Sequence, residues 1–558
     1  MYSKWQATSR GFGDPSHAGR VQQWTKLLDS RIDIMLPAPG AAHRGRCSQT
    51  EALYGQSEEV DMTLVSMIRT GYRYWRGLRP LVEDMDKIAL YMRRRLERGL
   101  PAVPGNLMGR LGGIGGSRSA EGLRALQTRK LRRTVEYVYR YVPFYREAMD
   151  AMGVKPSDIR TLADTQKLPI TKREQFSENT EAFVSRKPGL VATTTVASSG
   201  TTGRAVELYL TNEELQYYGA GEAITGMMMG WLGPRKLMQR HFSGEPAITG
   251  TVMSVAARKA GTLVVWHGNT LDDHVESIFR ERSIPGKDPK VSQLFTSPSH
   301  LWALTRRVEE MGFDFAESGL QRIQTGGAMV SADLKQRVLE TWGLKLSEGY
   351  GLVEVFTCAA GECGKSDRMH FTDMSGYAEV LDPRTEEPIP PGQPGVLVIT
   401  SFYPDRELMP LLRYWTEDLV VLSPDRTCVC GLPTTQIVDI LGRADYMVTV
   451  GVNNYYPQTV GDSLLGFREL VLPPRFTLRT EERADAQYAI LEVEVRDPLS
   501  DQDRESLKKR ISETVAYSRY WEVAAGSVKL VVNLNPPGSI EHPFPYKHAE
   551  LVLARRNE

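Results

Sequence analysis

Residues 193–203 read TTTVASSGTTG, a run of small and hydroxylated side chains between two apolar segments. Its last six positions are Ser198, Ser199, Gly200, Thr201, Thr202 and Gly203. Side chains this small let backbone N–H groups and hydroxyls close on a polyanion, and glycine tolerates positive φ, so a phosphate chain is the ligand that suits such a loop. It is not a Walker loop, which needs a Lys directly before Ser or Thr. Here Arg204 follows Gly203 and leads into the strand-like Val206 to Leu210. Taken alone, the run also reads as a flexible surface loop.

Further along, SEGYGLVE at 347–354 sets Tyr350 beside Gly351. An aromatic face with a close-approach backbone suits a purine, and Glu354 offers a hard oxygen donor for Mg2+. Asp418, in LLRYWTEDL at 411–419, could take both hydroxyls of a ribose. Arg443, in GRAD at 442–445, carries a fork that reaches hydroxyls or phosphate. A single acid at a strand end is more often a cap or ion-pair partner; the order of the set carries the inference. Cys363, His370, Cys428 and Cys430 add three thiols and an imidazole, spaced C-x6-H and C-x-C. Those donors close a tetrahedral zinc site with no open position, which makes it structural. Cys358 could replace Cys363, and isolated thiols are the other reading.

The composition is that of an ordinary soluble globular chain, with 41% hydrophobic and 25% charged residues. Lys and Arg number 69 against 68 Asp and Glu, so no global pull toward nucleic acid or an anionic membrane is expected. The first residues lack an apolar signal core and no apolar run approaches membrane-spanning length, so a cytoplasmic protein is the expectation. Five cysteines in 558 residues make no disulfide framework.

Positioning those residues requires several layers, because a chain this long exceeds one core. Residues 1 to about 57 show no sustained periodicity. Helical spacing from Val60 to Leu100 suggests two amphipathic helices split near Pro80, and 101–117 reads as a linker. The basic runs Arg93 to Arg98 and Arg129 to Arg133 read as solvated helix faces. Residues 121–185 read as helix, turn, helix. From about 190 to 400, strand-like runs (Val206 to Leu210, Thr262 to Trp266, Gln293 to Ser297, Arg322 to Thr325, Val396 to Thr400) alternate with helical stretches such as Ser331 to Trp342. That alternation predicts an α/β fold with a largely parallel sheet and ligands beyond its strand ends. After Gly442 the pattern changes to a small α+β unit with strands Tyr488 to Val495 and Val528 to Leu534 around a helix Asp501 to Val515. The expected division is 1–120 as an extension, 121–441 as a large α/β domain and 442–558 as a small α+β lid.

With VPFYREAM at 142–149, LPITKREQF at 168–176, TGGAMVS at 325–331 and PGSIEHPFPYK at 537–547 added in order, the chain resembles the adenylate-forming superfamily. That superfamily comprises acyl-CoA ligases and nonribosomal adenylation domains, and the resemblance is strongest to the phenylacetate-CoA ligase branch. It covers about residues 121–558 and implies that 121–441 form a large N-terminal adenylation domain and 442–558 a small mobile lid. It implies that Ser198 to Gly203 hold the β- and γ-phosphates of ATP and that Gly327 and Tyr350, with Gly351, flank adenine. It also implies that Glu354 binds Mg2+ and that Asp418 and Arg443 hold the ribose. Lys547 would bridge the attacking carboxylate and the α-phosphate, and Asp445 would be the hinge of the lid. Some relatives carry a similar Cys/His/Cys/Cys zinc site.

The acid pocket is expected near Tyr217, Tyr218, His241, Phe242, Gly326 and Ala328, suited to a flat aryl or arylacetic acid. His241 reads equally well as a ligand contact or a satisfied core histidine. Tyr446 and Val450 depart from the family pattern after the hinge, Ala328 stands where many relatives carry Glu, and the segment before Lys547 is a residue longer. The resemblance therefore implies adenylation more strongly than thioester formation. CoA is the expected acceptor, with a carrier protein, an amine or another small nucleophile of secondary metabolism as the alternative. A non-catalytic nucleotide-binding relative is a third reading, and a homodimer is left open.

Overall fold

The computed structural model describes residues 65–102, 119–197, 206–242, 247–444 and 448–540, apart from short breaks within these spans, the longest at 517–527. The loop Ser198 to Gly203, Ala328, Asp445 and Lys547 lie outside the described residues, as do most of the linker-like 101–117 and the Cys358 side chain.

Short apolar runs separated by amphipathic helices can pair in parallel only through crossovers, and that is how the chain builds one half of its main sheet. The hairpin strands β1 (Thr194–Ala197) and β2 (Glu207–Leu210) come first, pairing antiparallel with Ala197 opposite Glu207 on either side of the glycine-rich loop. The parallel strands follow: β3 (Leu237–Arg240), β4 (Leu263–Val264), β5 (Gln293–Thr296), β6 (Arg322–Gly326) and β7 (Leu346–Leu352). Helix α1 (Val82–Glu97) precedes them, as do α2 (Ala120–Tyr141) and α3 (Pro143–Ala151) and the short α4 (Arg173–Glu178). Between them run α5 (Asn212–Met229), α6 (Ile248–Ala260), α7 (Leu271–Phe279), α8 (Pro298–Met311) and α9 (Ala332–Trp342).

These helices cover both faces of the parallel strands. On one face Val275 of α7, Leu304 of α8 and Val338 of α9 pack with Leu237, Leu294, Ile323 and Leu346. On the other, Met92 of α1, Met227 of α5 and Met253 of α6 pack with Met238 and Phe295. Helix α5 starts in a capping box, Thr211 with Glu214, and crosses α6 at Gly219, where a Cβ would lie 2.3 Å from Val255 Cγ1. Helix α1 belongs to the expected N-terminal extension, yet its Ile88, Ala89 and Met92 are buried in this core, and Asp86 receives Lys259 at 2.6 Å.

The second half of the sheet is antiparallel. Its strands are β8 (Phe356–Glu362), β9 (Met369–Phe371), β10 (Gly376–Leu381), β11 (Pro394–Ser401), β12 (Tyr414–Leu422) and β13 (Gln436–Arg443). They extend the parallel set from β7 in the spatial order β8, β9, β13, β12, β11, β10, making 11 strands in all. The α/β alternation accounts for β3 to β7; after Leu352 short connections replace helices and every pair of neighbouring strands runs antiparallel.

Beyond it, β14 (Val448–Val450) and β15 (Asn453–Tyr455) form a small hairpin. A three-stranded sheet follows, of β16 (Phe476–Arg483), β17 (Ala486–Glu494) and β18 (Val528–Asn535). Helix α10 (Asp501–Ala516) makes the crossover that lets β17 and β18 run parallel, and its Leu507, Ile511 and Val515 share a separate apolar cluster with Phe476, Leu491 and Val532. Among the described residues no helix is long and apolar enough to cross a membrane.

The basic run in α2 differs from a solvated face at one position. Lys130 is fully buried and donates to Asp405 Oδ2 at 2.7 Å and to the Met374 carbonyl at 2.8 Å. Lys130→Met leaves the Asp405 carboxylate buried without its cation, and the expected loss is about 3–5 kcal/mol in urea unfolding. A change under about 1 kcal/mol, the level of an exposed pair, would mean that water reaches Asp405.

Candidate functional site

The carboxyl ends of β3, β5, β6 and β7 lie side by side, which is where open parallel sheets gather ligands. The register Gly326↔Gly349 places Gly327, one residue past β6, beside Tyr350 of β7. Gly327 has φ +79°, a conformation glycine adopts without strain, and a Cβ there would sit 3.5 Å from the Phe242 ring. Phe242, two residues past β3, packs on Phe295 with ring centroids 4.7 Å apart. Gly326, Gly327, Tyr350, His241 and Phe242 are thus brought to one edge of the sheet. Tyr218 gives its hydroxyl to the Asp405 carbonyl at 3.1 Å, while Tyr217 packs with Met85.

Tyr350 is part of β7 rather than past its end, and its hydroxyl donates to Asp418 Oδ2 at 2.6 Å. Burial, and then the Asp418 carboxylate, hold the phenol well above its ordinary pKa, so it stays a donor. Asp418 sits in β12 directly after Glu417, whose φ of +66° marks a bulge where the register against β11 shifts. Across the next pairing Asp418 faces Arg443 of β13, and Arg443 forms an ion pair with Glu417. The two residues expected at a ribose are therefore neighbours, tied to the tyrosine expected at adenine.

Glu354 occupies the turn between β7 and β8 and is 4% exposed. Its Oε1 accepts from Arg173 at 2.8 Å and from the Tyr414 hydroxyl at 3.2 Å. A buried carboxylate already holding a guanidinium is a hard oxygen donor of the kind Mg2+ takes, with Arg173 as the cation it would compete against. Burial, followed by Glu354, keeps the Tyr414 phenol protonated.

The four soft ligands also converge. Cys363 Sγ and Cys428 Sγ lie 3.9 Å apart, and Cys430 Sγ lies 3.5 Å from His370 Nε2. Tetrahedral zinc with bonds of about 2.3 Å to sulfur and about 2.0 Å to nitrogen would set such pairs roughly 3.8 and 3.5 Å apart. His370 Nδ1 bonds Thr434 Oγ1 at 2.7 Å, the outer contact that aims the other ring nitrogen at an ion. Burial works to raise the Cys428 thiol, but hydrogen bonds from the Cys430 N–H and from Ser366 bring it down to about 6. Burial and the neighbouring thiols push Cys430 up to about 11.

His241 is not an isolated core histidine. It is surrounded by His267, His274 and His300, with ring centroids 4.7, 4.7 and 4.1 Å away. Burial, and after it the other imidazoles, lower its pKa, and burial brings His300 down to about 4.

A family model of AMP-binding enzymes matches residues 198–403. A phenylacetate-coenzyme A ligase of Thermus thermophilus is 31% identical over 442 residues, covering 75% of this chain and 93% of that protein. The chain belongs to the phenylacetate-CoA ligase family. A phenylacetate-coenzyme A ligase of Aromatoleum evansii is 27% identical over 68% of this chain and 82% of its own length. Among solved structures, a 2-hydroxyisobutyryl-CoA ligase in the postadenylation state superposes with a TM-score of 0.64, covering 79% of this chain and 91% of that one at 20% identity. That likeness concerns the fold, a large α/β part followed by a small α+β part.

Within a phenylacetate-CoA ligase family member, three residues of this site carry contacts that the motifs alone left without a role. Arg173 lies in LPITKREQF, Tyr414 and Glu417 in LLRYWTEDL, so all three were inside recognisable segments. Their partners are 181, 60 and 26 positions away in sequence (354−173, 414−354 and 443−417), and spacing cannot reveal such pairs. Tyr350→Phe removes the hydrogen bond to Asp418, and a bond to a charged group of about 1.5 kcal/mol corresponds to roughly a tenfold rise in KM for ATP with kcat little changed. Pyrophosphate-release kinetics would measure it, and an unchanged KM would remove the pair from nucleotide binding.

Proposed function

We propose that this protein uses ATP to convert an aryl or arylacetic acid to its acyl-adenylate and then passes the acyl group to the thiol of CoA. The observation that carries the reading is the 2.6 Å bond from Tyr350 to Asp418, with Arg443 opposite Asp418 and Gly327 beside Tyr350. A purine on the Gly327 and Tyr350 edge would leave its ribose next to a carboxylate and a guanidinium, the groups suited to two hydroxyls.

In the first step a carboxylate oxygen attacks the α-phosphorus, the bond from that phosphorus to the bridging oxygen breaks, and pyrophosphate leaves. Ser198 to Gly203 would hold the departing phosphates and Lys547 would offset charge gathering between the carboxylate and the α-phosphate. Mg2+, held by Glu354, would supply further charge neutralisation on the phosphates. In the second step a thiolate attacks the acyl carbon and AMP departs. Rotation of residues 442–558 about Asp445 would withdraw Lys547 between the steps and exclude water. The names of the curated relatives support CoA as acceptor and a phenylacetate-like acid. The aromatic Phe242 and the small Gly326 and Gly327 at the sheet edge suit a flat acyl group.

Zinc in the Cys363, His370, Cys428 and Cys430 cluster would pin the segment after β8 to the connection between β12 and β13. The distances among its donors support that reading.

Acid-dependent AMP and pyrophosphate release, measured over aryl and alkyl acids with and without CoA, tests the reaction. Aryl acids are expected to give acyl-CoA, and Lys547→Ala to lower turnover by at least a hundredfold, on the order of the loss of one preorganised charge at a transition state. Adenylate without acyl-CoA would redirect the second step to another nucleophile. No turnover with any acid would leave a nucleotide-binding relative.

A further inference from the structure

Four of the chain's nine histidines gather at the carboxyl ends of β3, β4 and β5, and neither adenylation nor thioester formation calls for them. His241 directly follows β3, His267 lies three residues past β4, His274 lies in α7 and His300 in the first turn of α8. Nitrogens of His241, His267 and His274 all fall within 4.8 Å of one another.

The surroundings of each ring matter more than the cluster. His267 gives its Nε2 proton to the Arg240 carbonyl at 2.9 Å, which leaves Nδ1 with a lone pair. That Nδ1 is shut off from solvent and has no hydrogen-bond partner. A ring anchored on a carbonyl through one nitrogen, with the other bare and buried, is the arrangement in which imidazoles hold metal ions. His274 Nδ1 lies 3.1 Å from His300 Nε2. His241 Nδ1 bonds Thr296 Oγ1 at 3.0 Å, and its Nε2 takes the Gln239 amide at 3.1 Å. With its Nδ1 proton on Thr296, His241 would offer the Nε2 lone pair to an ion in place of the amide.

We propose that His241, His267 and His274 form a binding site for a divalent transition-metal ion of the zinc type, with His300 orienting His274. Three imidazole nitrogens at about 2.0 Å from such an ion would lie roughly 3.3 Å apart, within the 4.8 Å that bounds these atoms. The site is separate from the cysteine cluster in ligand type and in position, for its ligands follow parallel strands whereas the cysteines lie in the antiparallel half. Three neutral nitrogens leave the charge of the ion uncompensated and one position open, so anionic oxygen is the donor it would take next. Phe242 adjoins His241 and faces Gly327, which sets this ion beside the pocket expected for the acid.

The test compares zinc content of the full-length protein and two double variants after equilibration with zinc and removal of the free ion. His267→Ala with His274→Ala is expected to hold one equivalent less than wild type, and an equal content overturns the proposal. Should that variant fail to fold, Cys428→Ser with Cys430→Ser keeps the imidazoles alone. With Co2+ as the probe it should give visible d–d absorption without a sulfur charge-transfer band, and absence of that absorption overturns the proposal. Neither readout depends on adenylation, so failure of the ligase reading and failure of this one are distinguishable.

Discussion

The parallel register that sets Gly326 against Gly349 is the constraint on which the candidate nucleotide edge depends. A Cβ at Gly326 would lie 3.2 Å from the Gly349 carbonyl, tight enough that any side chain would force the strands to adjust. With both positions bare, β6 stays in register with β7 to its own last residue, and Gly327 emerges beside Tyr350. Helices α7, α8 and α9 on one face hold that register, since Ile323 and Leu346 are buried in the same cluster as Val275, Leu304 and Val338.

From Tyr350 the site is passed to the other half of the sheet. Strand β8 reverses direction, and the antiparallel strands carry Asp418 and Arg443 back toward the parallel edge. The bulge at Glu417 makes this possible. In a regular strand Asp418 and Glu417 would point to opposite faces, whereas the irregular backbone lets the acid at 418 meet Tyr350 and the acid at 417 meet Arg443. The network sets one guanidinium against two carboxylates, and a phenol that burial keeps protonated donates to the second of them.

Much of the helical packing was legible because it rests on local periodicity. The strand-like runs between Val206 and Trp342 match β2, β4, β5 and β6 and the helical stretch matches α9, whereas β3 is not among them; the small terminal unit has the expected β17, α10 and β18 order. The antiparallel half was less legible, since strands buried on both faces, such as β11 and β12, carry no alternation to reveal their partners. Lys130 sits in a basic run that looks solvated, and its burial follows from Asp405, 275 residues away. Helix α1 falls outside the family motifs, yet its apolar stripe already called for a partner surface, which α5 and α6 supply.

The sequence by itself determined the donor types and their order: a glycine and hydroxyl loop, a Tyr-Gly pair, an acid and an arginine at fixed places, and a Cys/His set of zinc spacing. These are local facts, because short motifs keep their chemistry wherever the chain carries them. Only the tertiary structure decided that Tyr350 bonds Asp418, that Arg173 and Tyr414 hold Glu354, and that four histidines scattered between 241 and 300 share one small volume. Crossover connections bring the ends of β3, β4 and β5 together across tens of residues, and a contact made by sheet register leaves no periodic trace in sequence.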